Sequence, residues 1–518
     1  MSAETLTRPA KVDEPDRFGN LREPVLPTMF GLPLMAWGVL LLAAMAVMGL
    51  SFINIWAALG VAVLAVLLVI PAGLRTKDGY SRYEVRRRRR KFVRGRRRGT
   101  SVLRQGVTGA VPTGVCRLPG VGAATELSEH VDNAGRPFGM LHWPHAQLYS
   151  VVLQAGPSGF DGVDMSTQND MGGYWAGWLA SLNTVPELVG AGVTVETVPD
   201  SGQRLVRAME RGRLPDDQVT EFAAAVEDAV RQNYRMGSPA LNAWVTLSLT
   251  AVVDADDEGR GMLRGRDEMA ELIGHLLPGW TTSLAPTGAG GQVYPSTAQQ
   301  IIDTTRVAYD PSVAVDVEEA VLSGEGTGLA WEDVGPMSHD VEPTCYRHEG
   351  VRSRTYEMRT PPRGMFYATT IAALLAPHKD VPRKRVTILY RPETPAASAA
   401  AAEGDVTKAL FKASQGRTKA IAQVELEAAQ QTARQEAQGA PLLRTAVLVT
   451  ATCDDDASLR RAARAVKGAL AAKARLVLRT PSGAQDTAFL MALPLGMVPQ
   501  TIQYGPVKEP KAKTKKEW

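Results

Sequence analysis

Between Glu23 and Arg75 the sequence has no Asp, Glu, Lys, Arg or His, a charge-free run of 51 residues. An ordinary solvated segment is thereby excluded. At about 20 apolar residues per crossing, the run is too long for one bilayer span and suits two. The division expected is Phe30 to Leu50 and Ile53 to about Leu74, with the reversal at Gly49, Ser51 and Asn54. Backbone groups in lipid must be bonded internally, so both halves are expected as helices. The length of the run, its distance from the N-terminus and the charges that follow it argue against a cleaved signal peptide.

Two further scarcities narrow the chemistry. The dipeptide Gly-Lys occurs nowhere, which excludes the phosphate-cradling GxxxxGK[ST] loop of the common transport ATPases. Only three cysteines are present, Cys116, Cys345 and Cys453, far apart and without a CxxC pair. That set offers neither a disulfide framework nor a zinc motif.

Positive charge is concentrated instead. Residues 75 to 98 hold thirteen Lys and Arg against Asp78 and Glu84. With +4 on the whole chain and +11 in that segment, the remainder carries −7, so the basic character is a collar and not a basic fold. By the positive-inside rule both flanks of the apolar run are expected on the cytoplasmic side of the cell membrane, with both termini and the main body. Tyr80 to Gly99 reads as a basic amphipathic helix. Its Arg86, Arg87, Arg88, Arg89, Arg90, Lys91, Arg94, Arg96, Arg97 and Arg98 are the candidate contacts to anionic lipid headgroups. Nucleic acid is the alternative polyanion, but no groove-reading motif accompanies the arginines.

The fold class expected is α+β: an N-terminal two-helix transmembrane hairpin, then a large cytoplasmic body of mixed α/β modules with a helical insertion. The divisions are 1–29, the hairpin 30–74, a juxtamembrane segment 75–100, a first α/β domain 101–335, a second 336–505 and a disordered basic tail 506–518. Trp175, Trp178, Leu179 and Leu182 mark one face of a helix. Val193 and Val195 alternating with Thr194 and Glu196, and Val245 to Leu249 alternating with Thr246 to Thr250, mark strands buried on one face. A helix through Met269 to Leu276 is expected to end at Pro278, and another to cover Met365 to Leu375. The alanine- and glutamine-rich stretch 395–439 reads as a protruding helical insertion and a candidate partner surface.

No catalytic, cofactor or metal residues emerge. Thr287 to Gly291 is glycine-rich but lacks a lysine. Asp254 to Gly259 begins like a calcium loop, yet Gly265 stands where the bidentate glutamate is needed. Asp454, Asp455 and Asp456 suit a helix cap better than a magnesium site. His142 and His145 form an HxxH in extended chain with no third ligand.

Several runs in order carry a resemblance: Gly135 to Gly139 (GRPFG), Trp175 to Leu179 (WAGWL), Val193 to Thr197 (VTVET), Trp331 to Pro336 (WEDVGP), Arg383 to Pro392 (RKRVTILYRP) and Ala492 to Gly496 (ALPLG). With the basic-flanked hairpin they make the chain similar to an actinobacterial family of integral membrane proteins of conjugative, type IV secretion-like systems. That family resembles a small inner-membrane hairpin subunit fused to the N-terminal, non-motor domain of the secretion ATPase. The resemblance implies a structural component that docks a conjugation-type ATPase supplied in trans. Its other implied partners are further membrane subunits, within an oligomeric complex. A membrane component of type VII secretion is the competing structural reading. A stand-alone nucleic-acid-binding protein or enzyme is the competing reading of another class.

Overall fold

The computed structural model describes most of residues 17–498, apart from short stretches of which 22–27, 110–113, 213–218, 235–238, 254–261, 415–418 and 438–441 are the longest. The expected polar N-terminus before Arg17, the basic tail and the calcium-like loop lie outside the described residues.

The charge-free run forms two helices, α1 (Leu34–Ser51) and α2 (Ile55–Gly73), packed as a hairpin. Asn54 makes the reversal, its side chain accepting from the amides of Trp56 and Ala57 at 2.9 and 3.3 Å. The spanning expectation is corrected. Among the described residues no helix is long and apolar enough to cross a membrane. α1 has 18 residues and α2 has 19. At 1.5 Å per residue they are about 27 and 28 Å long, against a hydrocarbon core of ~30 Å. A transmembrane hairpin and a two-span membrane location are therefore not supported. What remains is an apolar helical hairpin with Leu41, Leu42, Met48, Phe52 and Trp56 exposed.

Three short strands flank it, β1 (Arg17–Gly19), β2 (Thr28–Met29) and β3 (Leu32–Pro33), and helix α3 (Arg82–Arg97) follows. After β4 (Val102–Arg104) comes a meander of β5 (Glu126–Val131), β6 (Pro137–Trp143) and β7 (Leu148–Ala155). Helix α4 (Met165–Ser181) leads to β8 (Leu188–Pro199), then a helical arm of α5 (Gln203–Gly212) and α6 (Glu221–Tyr234), then β9 (Pro239–Thr250). A small ribbon, β10 (Val252–Val253) with β11 (Met262–Leu263), precedes α7 (Arg266–Leu284). β12 (Tyr294–Pro295) then returns beside β7, and α8 (Ala298–Tyr309) and α9 (Ala314–Ser323) close the unit.

The chain then repeats itself. A meander of β13 (Ser338–Val341), β14 (Tyr346–His348) and β15 (Val351–Thr360) is followed by β16 (Met365–Tyr367) and α10 (Ala368–Leu375). β17 (Arg383–Pro392), an arm of α11 (Pro395–Ser414) and α12 (Lys419–Ala437), and β18 (Leu443–Cys453) come next. Helix α13 (Asp456–Arg464) runs through a π-turn, Ala465–Leu470, into α14 (Ala471–Lys473). β19 (Val477–Arg479) returns beside β15, and α15 (Gln485–Met491) ends the unit. Each unit is thus meander, helix, strand, two-helix arm, strand, helix, returning strand, helix.

The two units share one sheet of thirteen strands, with main order β4-β13-β14-β15-β18-β17-β8-β9-β7-β6-β5 and every neighbouring pair antiparallel. β8 and β17, equivalent strands of the two units, pair with each other, and Thr194 faces Thr387 near the middle. A local pseudo-twofold passes there, so the division expected at 335/336 falls between topological repeats that are joined by hydrogen bonds. Because β8 and β17 run in opposite directions, the arms that follow them leave from opposite ends of the sheet.

One sheet face packs on α4 and α7 in the first unit, and on α10, α13 and α14 in the second. The other face is covered by α8, α15 and the segment 492–498. The strands expected to be buried on one face are therefore buried on both. Helix α7 does not stop at Pro278. The carbonyl of Gly274, whose helical partner a proline cannot supply, accepts instead from the Asn133 amide at 3.1 Å. Met365 to Tyr367 is strand rather than helix because β1 pairs with it.

Candidate functional site

The arginine collar folds as α3. Ser81 and Glu84 form a reciprocal capping box at its start. Just before it, Tyr80 is buried between two guanidinium groups, Arg88 at 4.1 Å and Arg479 at 4.3 Å from its ring centroid, and its hydroxyl donates to Glu357. Burial, then the Glu357 carboxylate, push the Tyr80 phenol up to about 12. Phe92 lies against Gly483. The collar is thus seated on the second unit by Tyr80 and Phe92. Arg86, Arg87, Arg89, Arg90, Lys91, Arg94, Arg96, Arg97 and Arg98 are exposed, while Arg88 is also exposed but turned to the Tyr80 ring.

Inside the molecule a seam of buried hydroxyls crosses the sheet. Ser150, Thr194, Thr246 and Ser248 belong to the first unit; Ser353, Thr355, Thr387, Thr450 and Thr452 belong to the second. Such side chains tolerate burial only when bonded. The seam bonds the segment 492–498, which lies across it as a strap. Ser150 and the Trp143 indole donate to the Leu495 carbonyl at 2.7 and 3.2 Å. Ser248 donates to Gly496 at 2.6 Å and Thr387 to Ala492 at 2.8 Å. At the pseudo-twofold the Thr194 and Thr387 hydroxyls are 3.2 Å apart. Gly496 adopts φ +71°, and a Cβ there would stand 2.5 Å from Ser150 Cβ. Gln485 of α15 accepts from the Thr355 amide and donates to its carbonyl, at 2.9 and 3.1 Å, as a strand neighbour would.

The seam continues into a histidine. His348 Nδ1 donates to the Tyr309 carbonyl at 2.5 Å, and Nε2, left as acceptor, takes the Ser353 hydroxyl at 2.8 Å. Burial pushes His348 down to about 4, against the opposing pull of the Tyr309 carbonyl. His339, bonded to the Tyr346 hydroxyl at 2.8 Å, is likewise pushed to about 4 by burial and nearby Arg104. Where the two units meet, Arg385 bonds Glu196 at 2.6 Å with both side chains buried, and Arg383 is 3.6 Å from the same carboxylate. Next to them Lys384 is buried and donates to the Ala376 carbonyl; burial pushes its amine down to about 8.

The remaining sequence candidates have structural places. His142 stacks on Tyr149, centroids 4.5 Å apart, and lies 3.7 Å from Glu126; His145 sits in the following turn. Asp455 caps α13 through the Ser458 amide at 2.7 Å, and Asp456 pairs with Arg352. Thr287 to Gly291 turns beside Gly156, where Gly290 has φ +104°. The cysteines are all buried and free. Among the described residues no group of three His, Cys, Asp or Glu is placed to hold a metal ion.

The arms differ. In the second unit α11 and α12 pack on one another through Ala402, Ala409, Ala422, Ala428 and Ala429, leaving Leu410, Phe411 and Val424 exposed. In the first unit α6 has no buried residue among its described side chains, and it shows Phe222, Val226 and Val230 to solvent. Sequence reading missed the Tyr80 seat, the hydroxyl seam and the Glu196 pair. The seam did leave a trace in the Thr246/Ser248 and Thr450/Thr452 alternations, which look like solvated faces until a strap is known to cover them. No family model and no curated protein matches this chain.

Proposed function

We propose that the chain is a structural component of a conjugative, type IV secretion-like translocation apparatus, and that it docks a separately encoded ATPase. The reading rests on the resemblance of its ordered sequence runs. The observation that supports it best is the pair of helical arms raised at opposite ends of one continuous, doubly covered sheet. A sheet covered on both faces gives a fixed frame, while the arms offer the apolar side chains that partners bind. The buried polar groups of the seam are committed to bracing the strap, which suits a frame.

The test is affinity capture of the tagged full chain from its own cells in mild detergent, followed by mass spectrometry. A conjugation-type ATPase recovered in fixed ratio is the expected result. Recovery of the chain without any ATPase would overturn the reading.

A further inference from the structure

A helix of fourteen residues is marginal in water unless one face is buried. Helix α6 has that length, and its described side chains bury nothing, yet Phe222, Val226 and Val230 recur at i, i+4 and i+8 as one apolar stripe. Phe222 is 79 % exposed. Its topological counterpart α12 buries its small residues against α11. The first-unit arm therefore lacks the cover that the second-unit arm has.

Charge points to the cover. Around its stripe α6 carries Glu221, Glu227 and Asp228 against Arg231. Toward the tip of the other arm α11 carries Lys408 and Lys412 and α12 begins at Lys419, with Asp405 and Glu425 the nearest acids. That tip also exposes Leu410, Phe411 and Val424. Lys408 and Lys412 pair within the arm with Asp405 and Glu425, at 3.5 and 3.1 Å, but keep most of their side chains exposed. An acidic apolar stripe and a basic apolar tip are complementary. The antiparallel β8–β17 pairing sends the two arms out from opposite ends of the sheet, which keeps them apart within one chain.

We infer that the α6 stripe is covered by the α11–α12 tip of a second copy of this chain, so that copies associate head to tail. Such a contact joins two different surfaces and leaves one of each unused at the ends. It therefore propagates, closing into a ring or extending as a filament according to the rotation per copy. A contact formed by one helix face and one hairpin tip is small, so the association is concentration-dependent. The inference needs no ATPase and stands or falls separately from the docking function.

The test uses the full chain in a mild detergent, so that the exposed α1–α2 surface does not itself drive association. Mass is followed by sedimentation velocity over a concentration series, for the native chain, for Phe222→Asp with Val226→Asp, and for Phe411→Asp. All three side chains are exposed, so folding is unaffected, which circular dichroism checks. The native chain is expected to grow beyond a dimer, less so at high salt. Each variant alone is expected to self-associate at least tenfold more weakly. Mixed, the two variants should form a heterodimer and nothing larger, because one intact stripe then meets one intact tip. A native chain that stays monomeric throughout, variants that associate like the native chain, or a mixture that forms no heterodimer would each overturn the inference.

Discussion

His348 shows how much of this fold depends on single buried groups. It is neutral in the folded state because protonation would put a charge in a fully buried site. Its folded pKa of about 4 lies below the unfolded 6.5, as does that of His339. Their contribution is complete above pH 6.5 and is lost as pH falls toward 4. By about pH 4 each histidine should have cost on the order of 3 kcal/mol. Urea midpoints measured between pH 7.5 and 4 should fall through that window, and His348→Gln should flatten part of the fall. Glu196 poses the opposite problem, a buried carboxylate holding buried Arg385. Glu196→Ala strands that guanidinium and should cost about 3–5 kcal/mol in chemical denaturation. Changing Glu196 and Arg385 together to leucine should recover most of it. At Gly496 the positive φ and the wall formed by Ser150 predict a loss of about 2 kcal/mol or more for Gly496→Ala, read from the same midpoints.

At the scale of elements, local pattern and distant partners divide the credit. The α4 helix was legible because Trp175, Trp178 and Leu182 keep a helical period that its packing uses. The strands β8 and β9 were legible from alternation. What alternation cannot state is the environment of its polar half. Thr246 and Ser248 carry the same signal whether water or a strap faces them, and here it is the strap. Pro278 misled for a related reason: the Asn133 amide that satisfies Gly274 comes from another element. The apolar hairpin was legible as two helices and a turn. Its placement across a membrane is not supported, since among the described residues no helix is long and apolar enough to cross one. Helix α3 was legible as a basic helix, but its Tyr80 seat on the second unit was not. Tyr80→Ala should release it. Losing a buried ring and two cation–π contacts costs about 2 kcal/mol, so tryptic cleavage within 82–98 should accelerate on the order of thirtyfold.

For the whole molecule the central fact is a repeated unit closed into one sheet through β8 and β17. Two consecutive α/β blocks were visible in the sequence, but their equivalence was not. The arms differ in length and composition, and the pairing that relates the blocks joins residues nearly two hundred positions apart. The units are tied by the β8–β17 ladder, by the strap that ends the second unit and crosses the first, and by the Glu196–Arg385 pair. A frame that holds partners in fixed relation requires that these ties make both units unfold together. The sequence supplies separate probes. Trp143, Trp175, Trp178, Trp244 and Trp280 lie in the first unit, and residues 336–505 contain no tryptophan but hold buried Cys345 and Cys453. With Cys116 replaced by serine and Trp37, Trp56 and Trp518 by phenylalanine, tryptophan fluorescence reports the first unit and thiol labelling the second across a urea titration. Coincident midpoints are the predicted result. Labelling of Cys345 and Cys453 in a transition well separated from the fluorescence change would contradict the single-frame account.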